Sequence, residues 1–167
     1  MKDEFDAALC RDFPSLYRNR GADMRTTAMC WGMECGEGWA NILRALSAGL
    51  TKVTENHASG SAAKAADHHF ECGFEIVADQ VKEKFGTLRF YFHSESKPDV
   101  QPEEVDGDYA KQIEAEIDGM VEMAERMSAV TCEACGRPGV MRGHGWYFVA
   151  CEEHARDEKS TSENEDE

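Results

Sequence analysis

Cys132 and Cys135 stand two residues apart, and after a gap of fifteen residues Cys151 and His154 repeat that separation. No other feature of the 167-residue chain restricts its folding as strongly. Thiolate and imidazole are the ligands that zinc prefers, and a pair two residues apart can grip one tetrahedral ion from a single knuckle or helical turn. Gly136, directly after Cys135, permits the left-handed backbone that turns amides back toward the sulfurs.

Between the two pairs, "VMRGHGWYFV" reads as a small hairpin bent at its glycines, and "CEEHARDE" reads as the first turns of a helix. Knuckle, hairpin and helix in that order resemble a treble-clef or zinc-ribbon finger over residues 131–156. The segment is too short to build a hydrophobic core of its own. A structural zinc contributes on the order of 10 to 16 kcal/mol at neutral pH, so Zn2+ is the expected cofactor and the reason this segment folds. Four ligands close the coordination shell, whereas a catalytic zinc has three protein ligands and one open position. A catalytic zinc and a thiol cluster without metal are the alternatives, and His144 in the bend "GHG" is the one residue that would compete as a ligand.

The formal net charge of −15 is unevenly placed. Residues 1–73 carry −2, 94–107 and 108–130 carry −4 each, and 157–167 carry −5, while 74–93 and 131–156 are neutral. A general nucleic-acid binder needs many Lys and Arg side chains against phosphate, so proteins, especially basic ones, are the expected partners. No apolar stretch approaches the roughly 18 to 20 residues a spanning helix needs. The start "MKDEFDAALC" lacks the basic beginning and apolar middle of a secretory signal. A cytoplasmic protein with reduced thiols is therefore expected, its seven cysteines serving metal binding rather than a disulfide framework.

Helical spacing predicts a short helix over 3–11, a second over about 39–57 with Trp39, Ile42, Leu43, Leu46, Leu50 and Val53 on one stripe, and a long third over 108–129. Residues 74–82 and 87–93 change to aromatic and branched side chains around "KFGT", whose glycine suits a turn with positive φ, so a β-hairpin is predicted there. The acidic, proline-bearing stretch 94–107 reads as a linker, and 157–167, without an apolar residue, as a disordered tail. The chain is thus expected to be α+β. Residues 1–130 form a core of helices packed on a small antiparallel hairpin or sheet, and 131–156 form the finger.

Two further segments invite functional readings. "CWGMECGEGW" holds Cys30 and Cys35, which would form a second metal site if joined by Cys10, His57, His68, His69 or Cys72. The plainer reading is a tight turn with Trp31 and Trp39 packed under the helix and both thiols acting as small apolar groups. A nucleophilic cysteine paired with a histidine is a third reading. In "VKEKFGTLRFYF", Lys82, Lys84 and Arg89 surround Phe85, a set that can stack a base and hold phosphate or anchor in a partner's pocket, or simply face water. Arg18, Arg20 and Arg25 form a weaker basic patch. Met120, Met123 and Met127 are expected to be core or helix-packing material.

Taken together, "MCWGMECGEGW", "VKEKFGTLRFYF" and "CEACGRPG…GWYF…CEEHA" resemble a family of small, largely uncharacterised bacteriophage and prophage proteins that carry these blocks in this order. The resemblance implies a phage-encoded accessory protein with zinc at Cys132, Cys135, Cys151 and His154, and it brings no catalytic residue. The functional expectation is a non-enzymatic protein that binds, and by acidic mimicry of nucleic acid inhibits, a host protein of defence or nucleic-acid processing. The alternative is a nucleic-acid-binding finger using Lys82, Lys84, Phe85 and Arg89 with Arg137 and Arg142.

Overall fold

The computed structural model describes residues 1, 3–55, 74–97, 107–143 and 145–155. Three α-helices run through these residues: α1 (Asp3–Asp12), α2 (Ala40–Glu55) and α3 (Gly107–Ser128). The strands are β1 (Met33–Glu34), β2 (Phe74–Lys84), β3 (Thr87–Ser96), β4 (Val140–Arg142) and β5 (Phe148–Ala150). Helices and antiparallel-rich sheets thus share the chain, which is α+β as its sequence predicts.

The hairpin β2–β3 is the centre of the body. Its turn places both Phe85 (φ 54°) and Gly86 (φ 79°) in the left-handed region, the backbone that lets a two-residue turn follow the twist of its strands. The expected glycine is one of the two; a phenylalanine takes the other. Register runs from Lys84↔Thr87 to Phe74↔Ser96, with a bulge at Asp79 between the pairs Ala78↔Phe92 and Gln80↔Tyr91. The extra residue shifts the alternation by one. As a result Ile76, Ala78 and Val81 all face the helices, with Leu88 and Phe90 beside them.

Onto that face α2 lays Leu43, Leu46, Leu50 and Val53, and α3 adds Ile113, Ile117, Val121 and Ala124. Tyr17 closes one side: its buried hydroxyl lies 2.7 Å from Ser47 Oγ, which in turn donates to the Leu43 carbonyl at 2.7 Å. The last turns of α3 lie along the outer side of β3. Ser128 Oγ accepts from the Leu88 amide at 2.8 Å, and Glu125 Oε1 accepts from the Phe90 amide at 3.2 Å.

The segment "CWGMECGEGW" is more than a turn. It contributes β1, which pairs parallel with β2 through Met33↔Val81 and Glu34↔Lys82. Trp39 is fully buried as expected, but Trp31 is 60% exposed instead of packed under the helix. Met123 and Met127 depart from expectation likewise, at 58% and 47% exposed. Their positions on α3 turn away from the sheet, toward a cleft beside α2. After Cys151 the chain makes a single 3-10 turn, Glu152–His154, and Ala155 is already extended, so the predicted helix does not begin within the described residues. The greater part of the acidic linker and the tail 157–167 lie outside them, while residues 94–96 belong to β3.

Candidate metal centre

The knuckle is built by backbone hydrogen bonds. The Cys132 carbonyl accepts from the Gly136 amide at 2.8 Å, the Cys132 amide donates to the Arg137 carbonyl at 2.7 Å, and Gly136 holds φ 76°. A bridge between Thr131 and Pro138 closes the base of the loop. From β5, the Val149 carbonyl accepts from the Glu133 amide at 3.0 Å, which brings Cys151 beside the knuckle. The 3-10 turn then carries His154 back, its amide donating to the Cys151 carbonyl at 3.1 Å.

These connections gather Cys132, Cys135, Cys151 and His154 so that one ligand atom from each lies within 4.8 Å of every other. Cys135 Sγ and Cys151 Sγ are 3.7 Å apart, and His154 Nδ1 lies 3.8 Å from Cys132 Sγ and 3.2 Å from Cys151 Sγ. A disulfide would need about 2.05 Å; the sulfurs converge on a common centre instead. Cys132 is buried, while its three companions lie nearer solvent. The Arg137 guanidinium donates to Cys135 Sγ at 3.5 Å and holds that thiol down at about 6, which favours the thiolate that binds metals. Arg137 is itself clamped by both carboxylate oxygens of Glu153, and Arg142 reaches Glu152 at 2.6 Å.

The "CGEGW" stretch holds this centre onto the body. Gly36 N donates to Glu133 Oε1 at 2.8 Å, Gly38 N to the Glu133 carbonyl at 2.7 Å, and Trp39 Nε1 to the Thr131 carbonyl at 2.9 Å. Contact is too close for side chains: a Cβ on Gly36 would stand 2.2 Å from the Glu133 carbonyl oxygen, and one on Gly38 2.1 Å from that of Cys132. The hairpin tip meets the finger on another side. A Cβ on Gly86 would lie 2.5 Å from Met141 Sδ and 3.2 Å from the Phe148 amide. Sequence reasoning weighed Cys30 and Cys35 as a second metal pair in this segment, beside the plainer reading of a tight turn with Trp39 packed under the helix, and missed the seam made by Gly36, Gly38, Glu133 and the Trp39 Nε1 bond. The two glycines on either side of Glu37 were the available signal.

The described residues do not assemble a second set of three or more ligands. Cys35 is buried in the core, where loss of solvation pushes its thiol up to about 12. Cys10, next to Asp6, is raised to about 11, again chiefly by burial. Neither is the depressed thiol that nucleophilic chemistry uses. Cys30 is half-buried, and Arg20 occupies its carbonyl at 2.8 Å. The other residues considered for such a site, His57, His68, His69 and Cys72, lie outside the described residues, as does His144.

At the hairpin, Lys82 Nζ sits 5.5 Å from the centre of the Tyr91 ring, and Lys84 Nζ 5.5 Å from that of Phe85. Phe85 is 67% exposed. Arg89 donates to Thr87 Oγ1 and the Leu88 carbonyl and lies 3.7 Å from Glu125, so its charge turns toward α3. In the weaker patch, Arg18 pairs with Glu75 and Glu95, and Arg20 with the buried Asp6 at 2.7 Å. No helix among the described residues is long and apolar enough to cross a membrane. Compared with models of protein families, with curated proteins and with solved structures, the chain matches none.

Proposed function

We propose that this chain is a non-enzymatic interaction protein whose finger is closed by a structural zinc ion and whose hairpin tip engages another protein. The donor set supports zinc. Around a tetrahedral zinc, bonds of about 2.3 Å to sulfur and 2.0 to 2.1 Å to nitrogen give edges near 3.8 Å between sulfurs and about 3.6 Å from sulfur to nitrogen. The separations of 3.7, 3.8 and 3.2 Å approximate those edges before any ion is added. Four protein donors complete the shell, and zinc bound this way organises the loop without an open position for water or substrate.

The observation that carries the interaction reading is Phe85. A phenylalanine in the left-handed region costs on the order of 1 to 2 kcal/mol, a cost glycine would avoid and asparagine would reduce. Phe85 accepts it at a tip where two thirds of the side chain stays in water and its one recorded ring contact is the Lys84 ammonium. Local cost with so small a local return marks sites kept for another purpose. The finger, whose Met141 lies against the tip, leaves Trp146 71% exposed and Tyr147 and Met141 nearly half exposed, and Trp and Tyr anchors dominate protein–protein contacts.

The resemblance to phage proteins makes a host protein the proposed partner, with inhibition by acidic mimicry as the proposed consequence and the host cytoplasm as the place. Capture from bacterial lysate at moderate salt tests this: Phe85→Asn and Trp146→Ala should each lose a partner that the parent chain enriches. No enriched protein, or equal capture by all three chains, would overturn it.

A second reading, nucleic-acid binding, draws on Lys82 and Lys84 lying over aromatic rings. It predicts a salt-dependent shift of single-stranded DNA or RNA that Lys84→Glu weakens. Against it, Arg137 and Arg142 are held by Glu153 and Glu152, and Arg89 lies beside Glu125.

A further inference from the structure

Three sulfurs share the candidate metal centre, but their surroundings differ. Cys132 is sealed from solvent, whereas Cys135 is exposed and Cys151 half-buried. The two that solvent reaches are also close, Sγ to Sγ 3.7 Å, so the step to the roughly 2.05 Å of a disulfide is short. Cys132 Sγ has His154 Nδ1 as its neighbour at 3.8 Å. Oxidation of cysteine follows thiolate character and exposure, and both criteria select Cys135 and Cys151 over Cys132.

These two cysteines stand on different arms of the finger. Cys135 belongs to the knuckle, which is seated on Gly36 and Gly38 of the body, and Cys151 directly follows β5. A bond between them, sixteen positions apart, would join the same two arms that the proposed zinc joins and would restrict the unfolded chain as a cross-link does. A bond within the knuckle, from Cys132 to Cys135, would leave the arms apart. Which bond forms therefore decides whether the finger survives the loss of its metal.

We infer that Cys135 and Cys151 form an oxidation site for hydroperoxides, at which a disulfide replaces zinc as the clasp between knuckle and β5. With hydrogen peroxide, the Cys135 thiolate attacks one oxygen, the O–O bond breaks, and hydroxide departs to leave a sulfenic acid. The Cys151 thiolate then attacks the Cys135 sulfur; the S–S bond forms and the S–O bond breaks, releasing a second hydroxide. The two sulfurs lose two electrons, the peroxide gains them, and two protons from solvent turn both hydroxides into water. Cys132 and His154 alone are left for the metal, half of the four donors a structural zinc takes, so the ion leaves. In a reducing cytoplasm such a bond is transient and of the sensing kind. This inference rests on the zinc reading above.

The full chain carrying one zinc equivalent is titrated with hydrogen peroxide beside a chromogenic zinc indicator. Release of the ion is expected together with loss of two thiols, and a non-reducing peptide map should find Cys135 joined to Cys151 with Cys132 free. The oxidised chain should melt close to the zinc form and well above the reduced chain stripped by chelator. Cys151→His keeps four donors of a common zinc set and should hold its ion about tenfold longer at the same peroxide dose. If that variant fails to fold, the peptide map and melting curve of the parent decide. A Cys132–Cys135 bond, zinc retained under peroxide, or an oxidised chain that melts like the stripped one would overturn the inference. A reduced parent that binds no zinc would remove the zinc reading as well, whereas a parent that binds zinc and keeps it under peroxide would remove this inference alone.

Discussion

The body and the finger are held by different forces. In the body, Trp39, Leu43, Leu50, Val77, Val81, Leu88, Ile113 and Ile117 are essentially sealed from solvent, and burial of such side chains contributes roughly 1.5 to 3 kcal/mol each. Among the described residues of the finger only Cys132, Val149 and Ala150 are buried, while Val140, Met141, Trp146 and Tyr147 stay in contact with water. The proposed zinc and the glycine seam stand in for the missing core. The lesson is that the finger is no independent bead: its knuckle is seated on Gly36 and Gly38, immediately ahead of α2, and its loss should be felt by the helix that follows.

Removing the proposed zinc should break the comparison most severely. Chelation, or Cys132→Ser, is expected to take bound zinc from one equivalent per chain to none, and to lower the melting temperature of the whole protein by many degrees. Tryptophan fluorescence should shift to the red as Trp39 loses its bond to the Thr131 carbonyl. A melting curve and near-ultraviolet dichroism unchanged by chelation would show that the body stands without the finger.

Next in size is Gly38→Ala, whose methyl would collide with the Cys132 carbonyl oxygen at 2.1 Å. Because backbone lies on both sides, relief requires the seam to open, and a loss of about 3 kcal/mol or more is expected in urea unfolding. Gly119→Ala is the contrast: a Cβ there meets nothing within 4 Å, and the helix should gain about 0.5 to 1 kcal/mol. If both substitutions cost the same, the seam is looser than a 2.1 Å approach requires.

A smaller effect belongs to the body alone. Ser128→Ala leaves the Leu88 amide without its 2.8 Å acceptor and should cost about 1 to 3 kcal/mol, with zinc content unchanged.

The smallest effect is a pH dependence at the bulge. His93 Nε2 lies 3.0 Å from Glu95 and Nδ1 2.8 Å from Asp79, and these carboxylates, Glu95 foremost, raise the imidazole above its ordinary value. A raised histidine contributes stability that is complete below its unfolded value, near 6.5, and is lost as pH climbs through the folded value. The site is largely solvated, so the contribution should stay below about 1 kcal/mol. The stability difference between the parent and His93→Asn, measured from pH 5.5 to 8.5, should shrink across that interval. A constant difference would count against the pairing.

What the sequence disclosed follows from range. The apolar positions of α2 and α3 recur every three or four residues, and the "KFGT" turn joins neighbouring strands, so each is a local pattern. The two ligand pairs are equally local. The glycine seam was hidden because Gly38 meets a carbonyl more than ninety residues away, and nothing in "CGEGW" names its counterpart. Strand β1 was hidden for the same reason, since its two residues pair with Val81 and Lys82 and carry no alternation of their own. Trp31 was misplaced by composition: an indole usually seeks cover, yet Gly32 at φ 79° turns the chain inward only afterwards. The exposed side of Met123 and Met127 follows from geometry that periodicity does not contain, namely which flank of an apolar helix its neighbour covers.

The amides of Leu88 and Phe90 would otherwise be open donors along the rim of β3, the kind of row on which stray polypeptide adds as a further strand. With Ser128 and Glu125 satisfying them, lateral growth of the sheet is blocked by the protein's own helix. Solutions of the intact molecule should therefore resist ribbon-like aggregation, and conditions that lift the last turn of α3 should be those in which it begins.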